Sequence, residues 1–437
     1  MRLSEKIIRI ALLALILLSL VLTYAIWLSP TVKTTEVNTT KQTVKNAQNY
    51  AKATDAFLPL RGIWDIHSGK YQTSSENLLA TTQARLTEST YGQLQKVASG
   101  ETEIQNYYNL IDGIELNYEE TFSLAEYVKV FDMPISLKAL KNSDTITFSK
   151  IQVDFARKKI RFLNYKENTV YEATASVDAS SLKALHEKNQ GRYLSMSSDN
   201  SVFPGLLKTQ ERVRLKKYSY ILTTQSYSLF RNAFFQNPDQ AKGEEEASGT
   251  RSFISGHEEL MMDEQKRLVT FNGELPESLK NESIYSQTFH YISRLGTAVG
   301  NLRYFDQKDK QINYRIFVEG YPIFSTSSKG KMSISIEPQP NDADAKVSIQ
   351  TSMDTVQVPI PSDEEVELPS TLEVENNLAA AGIDLTRIKS FIIGYTWQDV
   401  DGVNKLVSLI PEWFVKYDDN WYSADQLVQG NLETGAN

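Results

Sequence analysis

The sequence predicts an α+β protein: one N-terminal transmembrane helix, then a multidomain extracytoplasmic part with antiparallel sheets and packed helices. Three observations carry this. An uncharged apolar run occupies Ile10 to Leu28. Beyond it, segments of alternating apolar residues follow one another with few helical stretches between them. Short capped runs, Ser123 with Glu126 and Ser370 with Glu373, supply helices among the strands.

Length and composition set the bounds. The chain has 437 residues, 41% hydrophobic and 23% charged, which suits globular protein. Beyond the apolar run it is too long for one core, so two or three domains of about 100–200 residues are expected. The net charge of −8 counts against nucleic-acid binding, which needs a clustered positive footprint. With no cysteine, disulfides, thiolate metal ligands and thiol nucleophiles are removed together. That composition suits a bacterial surface without oxidative folding.

As a helix, Ile10 to Leu28 would span roughly the ~30 Å hydrocarbon core of a bilayer. Arg2, Lys6 and Arg9 precede it against one acid, Glu5, and hold the N-terminus in the cytoplasm by the positive-inside rule. Tyr24 and Trp27 suit the far interface, and Pro30 ends the helix. The competing reading is a cleaved signal peptide, with its apolar region from Ile10 to Leu22 and cleavage after Ala25. Thr23 at the −3 position and the bulky Trp27 just beyond make that site poor, so a retained anchor in membrane lipid is favoured. Ser19 and Thr23, four residues apart, share one helix face and could contact a partner helix. The blander alternative is that their hydroxyls bond back to their own helix.

The expected division is a cytoplasmic tail at 1–9, the anchor at 10–28 and a polar stalk at 29–55. Three extracytoplasmic domains follow at 56–190, 191–300 and 301–423, then a polar tail at 424–437. In the first domain, Leu124, Tyr127, Val128 and Phe131 fall at helical spacing behind the Ser123 cap, and Pro134 marks the stop. Ile146 to Val153, Ile160 to Phe162 and Val170 to Tyr171 read as an antiparallel meander, because the connections are short. In the second, Arg212 to Thr223 reads as one strand. Thr224 is read as the cap of a helix bearing Tyr227, Phe230 and Phe234. Asn237 to Thr250 reads as a solvated acidic loop, and Phe253 with Leu268 to Phe271 as a hairpin. In the third, Ile312 to Val318, Met332 to Ile336, Val347 to Ile349 and Val356 to Ile360 alternate as strands. Gly320 turns the chain and Tyr321 to Phe324 continues extended. A helix runs from the Ser370 box to Gly382, and strands at Ile388 to Tyr395 and Asn404 to Ile410 follow.

Catalytic equipment is sparse. His67, His186, His257 and His290 are scattered, and Met261 stands where a metalloprotease helix would place its second histidine. The nucleophile elbow, the Walker loop and the dinucleotide fingerprint do not occur. No catalytic, metal or cofactor-binding residue is expected. Acids cluster at Glu258, Glu259, Asp263 and Glu264, and again at Asp363, Glu364, Glu365 and Glu367. Read as polar loops, they lack the buried acid a wall hydrolase requires. Trp397, Trp413 and Trp421 with Tyr395 and Tyr417 could form a stacking platform for wall glycan or peptide, but packing of a sheet is the favoured reading.

These residues together resemble a known family. The basic tail, single apolar helix and Thr23-Tyr24-x-x-Trp27 exit are similar to the start of YycH proteins. Val318-Glu319-Gly320-Tyr321-Pro322-Ile323-Phe324 resembles the family's strand turn. Ile393-Gly394-Tyr395 and Leu409-Ile410-Pro411-Glu412-Trp413 resemble its closing strands, which end near Trp421. The tail from Ser423 to Asn437 and the acids Glu244 to Glu246 depart from the pattern. The resemblance implies a regulator with three extracytoplasmic domains, not an enzyme. Its implied partners are the sensor histidine kinase WalK (also called YycG) of the WalK/WalR two-component system and the sister protein YycI. The process served would be cell-wall homeostasis in low-GC Gram-positive bacteria.

Overall fold

The computed structural model describes residues 51–66, 69–197, 208–245, 249–339, 344–400, 402, 405–431 and 435, with Leu15 and Ser19. Two compact units are distinguished, Met1–Ala47 and Gln48–Asn437. In the first, Leu15 and Ser19 are helical and exposed. The rest of the Ile10–Leu28 anchor, with Arg2, Lys6, Arg9, Thr23, Tyr24 and Trp27, lies outside the described residues. Among the described residues no helix is long and apolar enough to cross a membrane.

The second unit is mixed α+β with antiparallel sheets, as the alternating segments predict. Its first sheet runs Lys208–Thr209, Leu194–Ser197, Gly69–Thr73, Arg61–Ile66, Gly113–Ser123, Thr147–Asp154, Lys159–Asn164, Thr169–Ser176 and Thr90–Tyr91, with Gln95–Ser99 also on Thr169–Ser176. The expected meander forms its centre, with Ile151 opposite Phe162 and Phe162 opposite Tyr171. Lys158 and Asn168 take left-handed backbone in its two turns. The helix Leu124–Val130 starts at Ser123, whose side chain accepts from the Glu126 amide as the spacing predicts.

The second sheet joins strands from the stretches 191–300 and 301–423. Its middle runs Leu268–Glu274, Lys346–Ser352, Lys331–Glu337, Gln311–Val318, Tyr321–Phe324, Ile388–Asp399, Leu406–Tyr417 and Tyr218–Thr224. Tyr321–Phe324 against Ile388–Asp399 is a parallel pair. Gly320 turns the chain before it with φ of +84°, and a Cβ there would stand 1.9 Å from the Ser74 carbonyl oxygen. Only glycine lets these two backbones approach so closely.

Several expectations are corrected. Arg212 to Thr223 is two strands, Val213–Lys216 and Tyr218–Thr224. The first pairs with Glu365–Leu368, so Glu365 and Glu367 of that acidic cluster lie in a strand, while Asp363 and Glu364 precede it. Thr224 is not a cap: its hydroxyl donates to Asp354 at 2.9 Å, and Ser226 precedes the helix Tyr227–Phe234. The acidic loop contains a strand, Lys242–Glu245, against Thr250–Ser255. A further strand, Glu258–Asp263, completes a meander where a hairpin was expected. In the polar tail, Ala424–Val428 is a short helix boxed by Ser423 and Gln426, with Leu427 buried.

One continuous core links both sheets. Phe57 lies 5.3 Å from Phe122 of the first sheet and 6.2 Å from Tyr304 of the second, centroid to centroid. The helix Ile284–Leu295 packs Tyr285 between them, 4.7 Å from Phe122 and 5.7 Å from Tyr304. Fully buried aromatic contacts of this kind bind two sheets tightly, because each ring removes 150–250 Å2 from water.

Candidate functional site

The strand Gly113–Ser123 is irregular where it meets Thr147–Asp154. Asn117 pairs with Lys150 and Phe122 with Phe148, so Tyr118 to Thr121 bulge across a single residue. A bulge of this kind re-aims side chains. Neighbours that would face opposite sides of a flat strand here reach the same charges. Glu120 bonds Lys416 of the C-terminal strand and also Lys166, at 2.7 Å. Glu119 lies 3.7 Å from the Arg61 guanidinium. Beside them Lys150 meets Glu115 at 2.9 Å, and Lys389 meets Asp419 at 2.7 Å.

All of these groups except Glu115 line a cavity of about 570 Å3 between the first sheet and the C-terminal strands. Its electrostatics are divided. Burial pushes the Glu119 carboxyl up, against the pull of Arg61 and Lys416. Burial acts on Glu120 in the same sense, but Lys416 and Lys166 outweigh it and hold that carboxyl below its ordinary value. Burial alone would lower Lys416, and the two glutamates raise it instead. Both acids are thus engaged by cations: Glu120 with Lys416 ties the first sheet to the second, Glu119 with Arg61 lies within the first, and neither acid is poised beside a nucleophile.

The acids of the hydrolase reading do not converge. Glu258 and Glu259 are consecutive in a strand, so they face opposite sides of the sheet. Glu258 is buried and accepts from the Gln236 amide at 3.1 Å, and burial raises its carboxyl. Asp263 accepts from the amides of Gln265 and Lys266 and shapes a turn. Tyr395, Trp397, Trp413, Tyr417 and Trp421 are all buried, so the C-terminal aromatics form no exposed stacking platform, and of the five only Trp413 reaches the cavity wall. Among the described residues no cluster of metal-ligating side chains occurs. His186 is packed between Tyr71 and Tyr193, each 4.6 Å away, and His67 lies outside the described residues.

Sequence reading missed Arg61, Asn117, Glu119, Glu120 and Lys416 as a group. One signal was present: Glu120 stands where the alternation of Ile114, Leu116, Tyr118 and Phe122 calls for an apolar residue. Of the residues expected at a partner contact, Ser19 is exposed on a helix and Thr23 lies outside the described residues.

Comparison with known proteins settles the family. The YycH protein N-terminal domain matches residues 5–190, and the YycH protein C-terminal domain matches residues 205–431. The chain belongs to the YycH family. YycH proteins are extracytoplasmic regulators and not enzymes. Among solved structures, YycH from Bacillus subtilis is similar with a TM-score of 0.66 at 14% identity, covering 86% of this chain and 97% of that one. At that identity the likeness shows the YycH fold. An uncharacterised protein from Eubacterium rectale has a TM-score of 0.28 at 9% identity over 49% of this chain and 79% of that one, too low to carry an argument. No curated protein matches by sequence.

Proposed function

We propose that the chain is a membrane-anchored regulator that modulates a sensor histidine kinase controlling cell-wall homeostasis. The carrying observation is membership of the YycH family over 5–190 and 205–431. The kinase partner is WalK, with YycI as sister regulator, and the single-pass anchor at Ile10–Leu28 leaves the bulk outside the cytoplasm in three domains at 56–190, 191–300 and 301–423. The chain acts by binding one conformational state of the kinase better than the other, since only differential affinity shifts an equilibrium. Contacts come from the extracytoplasmic domains and from the helix face bearing Ser19 and Thr23.

Replacing Ile10–Leu28 with an unrelated apolar helix of equal length tests this. Kinase regulation, read as phosphorylated response regulator in cells, is expected to be lost while export persists. Full regulation by the chimera would remove the helix contact from the account. The absence of native cysteine makes Ser19→Cys and Thr23→Cys clean crosslinking positions, and a crosslink to the kinase is the expected product.

A further inference from the structure

The cavity beside Glu119 and Glu120 has properties that ion pairing between sheets does not explain. Its volume of about 570 Å3 falls within the range of small-ligand sites. Asn117 lines it, is 6% exposed, and its side-chain oxygen has no hydrogen-bond partner. A buried carbonyl oxygen left unpaired is costly, so this position calls for an N–H or O–H donor.

Charge gives the second requirement. Arg61, Lys150, Lys166, Lys389 and Lys416 line the cavity, against Glu119, Glu120 and Asp419 in the lining and Glu115 on Lys150. That is five cations to four acids, an excess of one. Arg61 donates through Nη1 to the Phe391 carbonyl at 3.1 Å, while its Nη2 stands 3.7 Å from Glu119, beyond hydrogen-bond length. The guanidinium therefore keeps donor capacity for an anion. The third requirement is apolar, since Leu60, Phe317, Ile393 and Trp413 form part of the same wall.

We propose that this cavity binds a short peptide through its free C-terminal carboxylate. The carboxylate meets Arg61 and Lys416, a peptide N–H donates to Asn117, and an apolar side chain lies against Phe317 and Trp413. A single excess positive charge suits a monoanionic carboxylate better than a doubly charged phosphate, and a neutral glycan would leave the excess uncompensated. The proposal stands apart from the kinase reading, because binding is measured on this chain alone.

The test uses the full chain in detergent micelles, titrated with N-acetyl-alanyl-alanine and N-acetyl-alanyl-leucine, each with a free or an amidated C-terminus. Calorimetry and tryptophan fluorescence give the readout. The free-acid peptides are expected to bind saturably, and at least tenfold more tightly than the amidated forms. Asn117→Ala and Arg61→Gln are each expected to weaken binding about tenfold or more. No saturation by about 10 mM, a weak limit for any specific site, would overturn the proposal. So would equal affinity for acid and amide, a comparison on the unaltered chain that holds even if a variant fails to fold. Unchanged affinity in both folded variants would also overturn it.

Discussion

Lys331 stands directly opposite Arg315 on the neighbouring strand, and Arg315 stands opposite Arg303 on the next. Three like charges in register are unfavourable in a sheet. Two of them are compensated. Arg303 donates to the Leu58 and Pro59 carbonyls at 3.0 and 2.8 Å and meets Glu76 at 3.2 Å. Arg315 donates to the Ile323 carbonyl at 3.0 Å and lies over the Phe324 ring at 4.0 Å. Burial and the neighbouring Arg315 push the Lys331 ammonium down to about 8 from its ordinary 10.5. Between those values the unfolded chain binds more protons than the folded one, so stability rises with pH across that window and the cost is full below it. Lys331→Met should remove this slope and stabilise the protein near neutrality by about 1–3 kcal/mol. Urea unfolding from about pH 7 to 10 checks it, and an unaltered slope in the variant would refute the assignment.

At the scale of the element, charge complementarity explains a strand that periodicity alone did not reveal. Val213–Lys216 and Glu365–Leu368 pair with Arg214 opposite Glu367 and Lys216 opposite Glu365. Arg214 meets Glu367 at 3.1 Å, Arg212 meets Glu373 at 2.8 Å, and Lys217 meets Glu364 at 2.8 Å. Read separately, Glu365–Leu368 is an acidic stretch, whereas Val213–Lys216 already lies in the segment Arg212 to Thr223 that reads as a strand. Together they form a ladder in which every charge has an opposite neighbour. Because these pairs are exposed, each contributes little and salt screens them. Arg214→Glu should lower the melting temperature by only a few degrees, less in roughly 0.5 M salt, and Glu367→Arg in the same chain should restore it. A double-mutant cycle with zero coupling at low salt would show the ladder to be incidental.

Across the whole molecule, the bridge between Glu120 and Lys416 joins residues 296 apart in the chain. Both side chains are buried, 9% and 8% exposed. Breaking a buried pair strands a charge, so Lys416→Met should cost about 3 kcal/mol, with Lys166 supplying partial relief. The sign with pH follows from the shifts. Glu120 is held below its ordinary 4.5, so its contribution is present above that value and fades as pH falls through the lowered one. Lys416 is raised above 10.5, so its contribution is present below that value and fades as pH rises through the raised one. Thermal unfolding of the variant should therefore differ most from the unaltered protein between those limits. A melting temperature that did not move at neutral pH would remove the bridge as a fastening between the sheets.

The elements legible from sequence were those whose cause is local. The Ser123 and Ser370 caps, the Gly320 turn and the strands with strict alternation at Ile312 to Val318 and Met332 to Ile336 all follow from neighbours a few residues away. The helix Ile284–Leu295 did not: Ser283 caps it, but its aromatic and β-branched residues favour strands, and packing between the two sheets offsets that preference. The cavity was equally illegible, since Asn117, Glu119 and Lys416 acquire their meaning from a bulge and from an ion pair between residues 296 apart in the chain. By itself the sequence determined the fold class, the family resemblance and the local signals for turns and caps. Tertiary structure alone decided which distant charges meet, because register between remote strands is set by the summed packing of both sheets and not by any one segment.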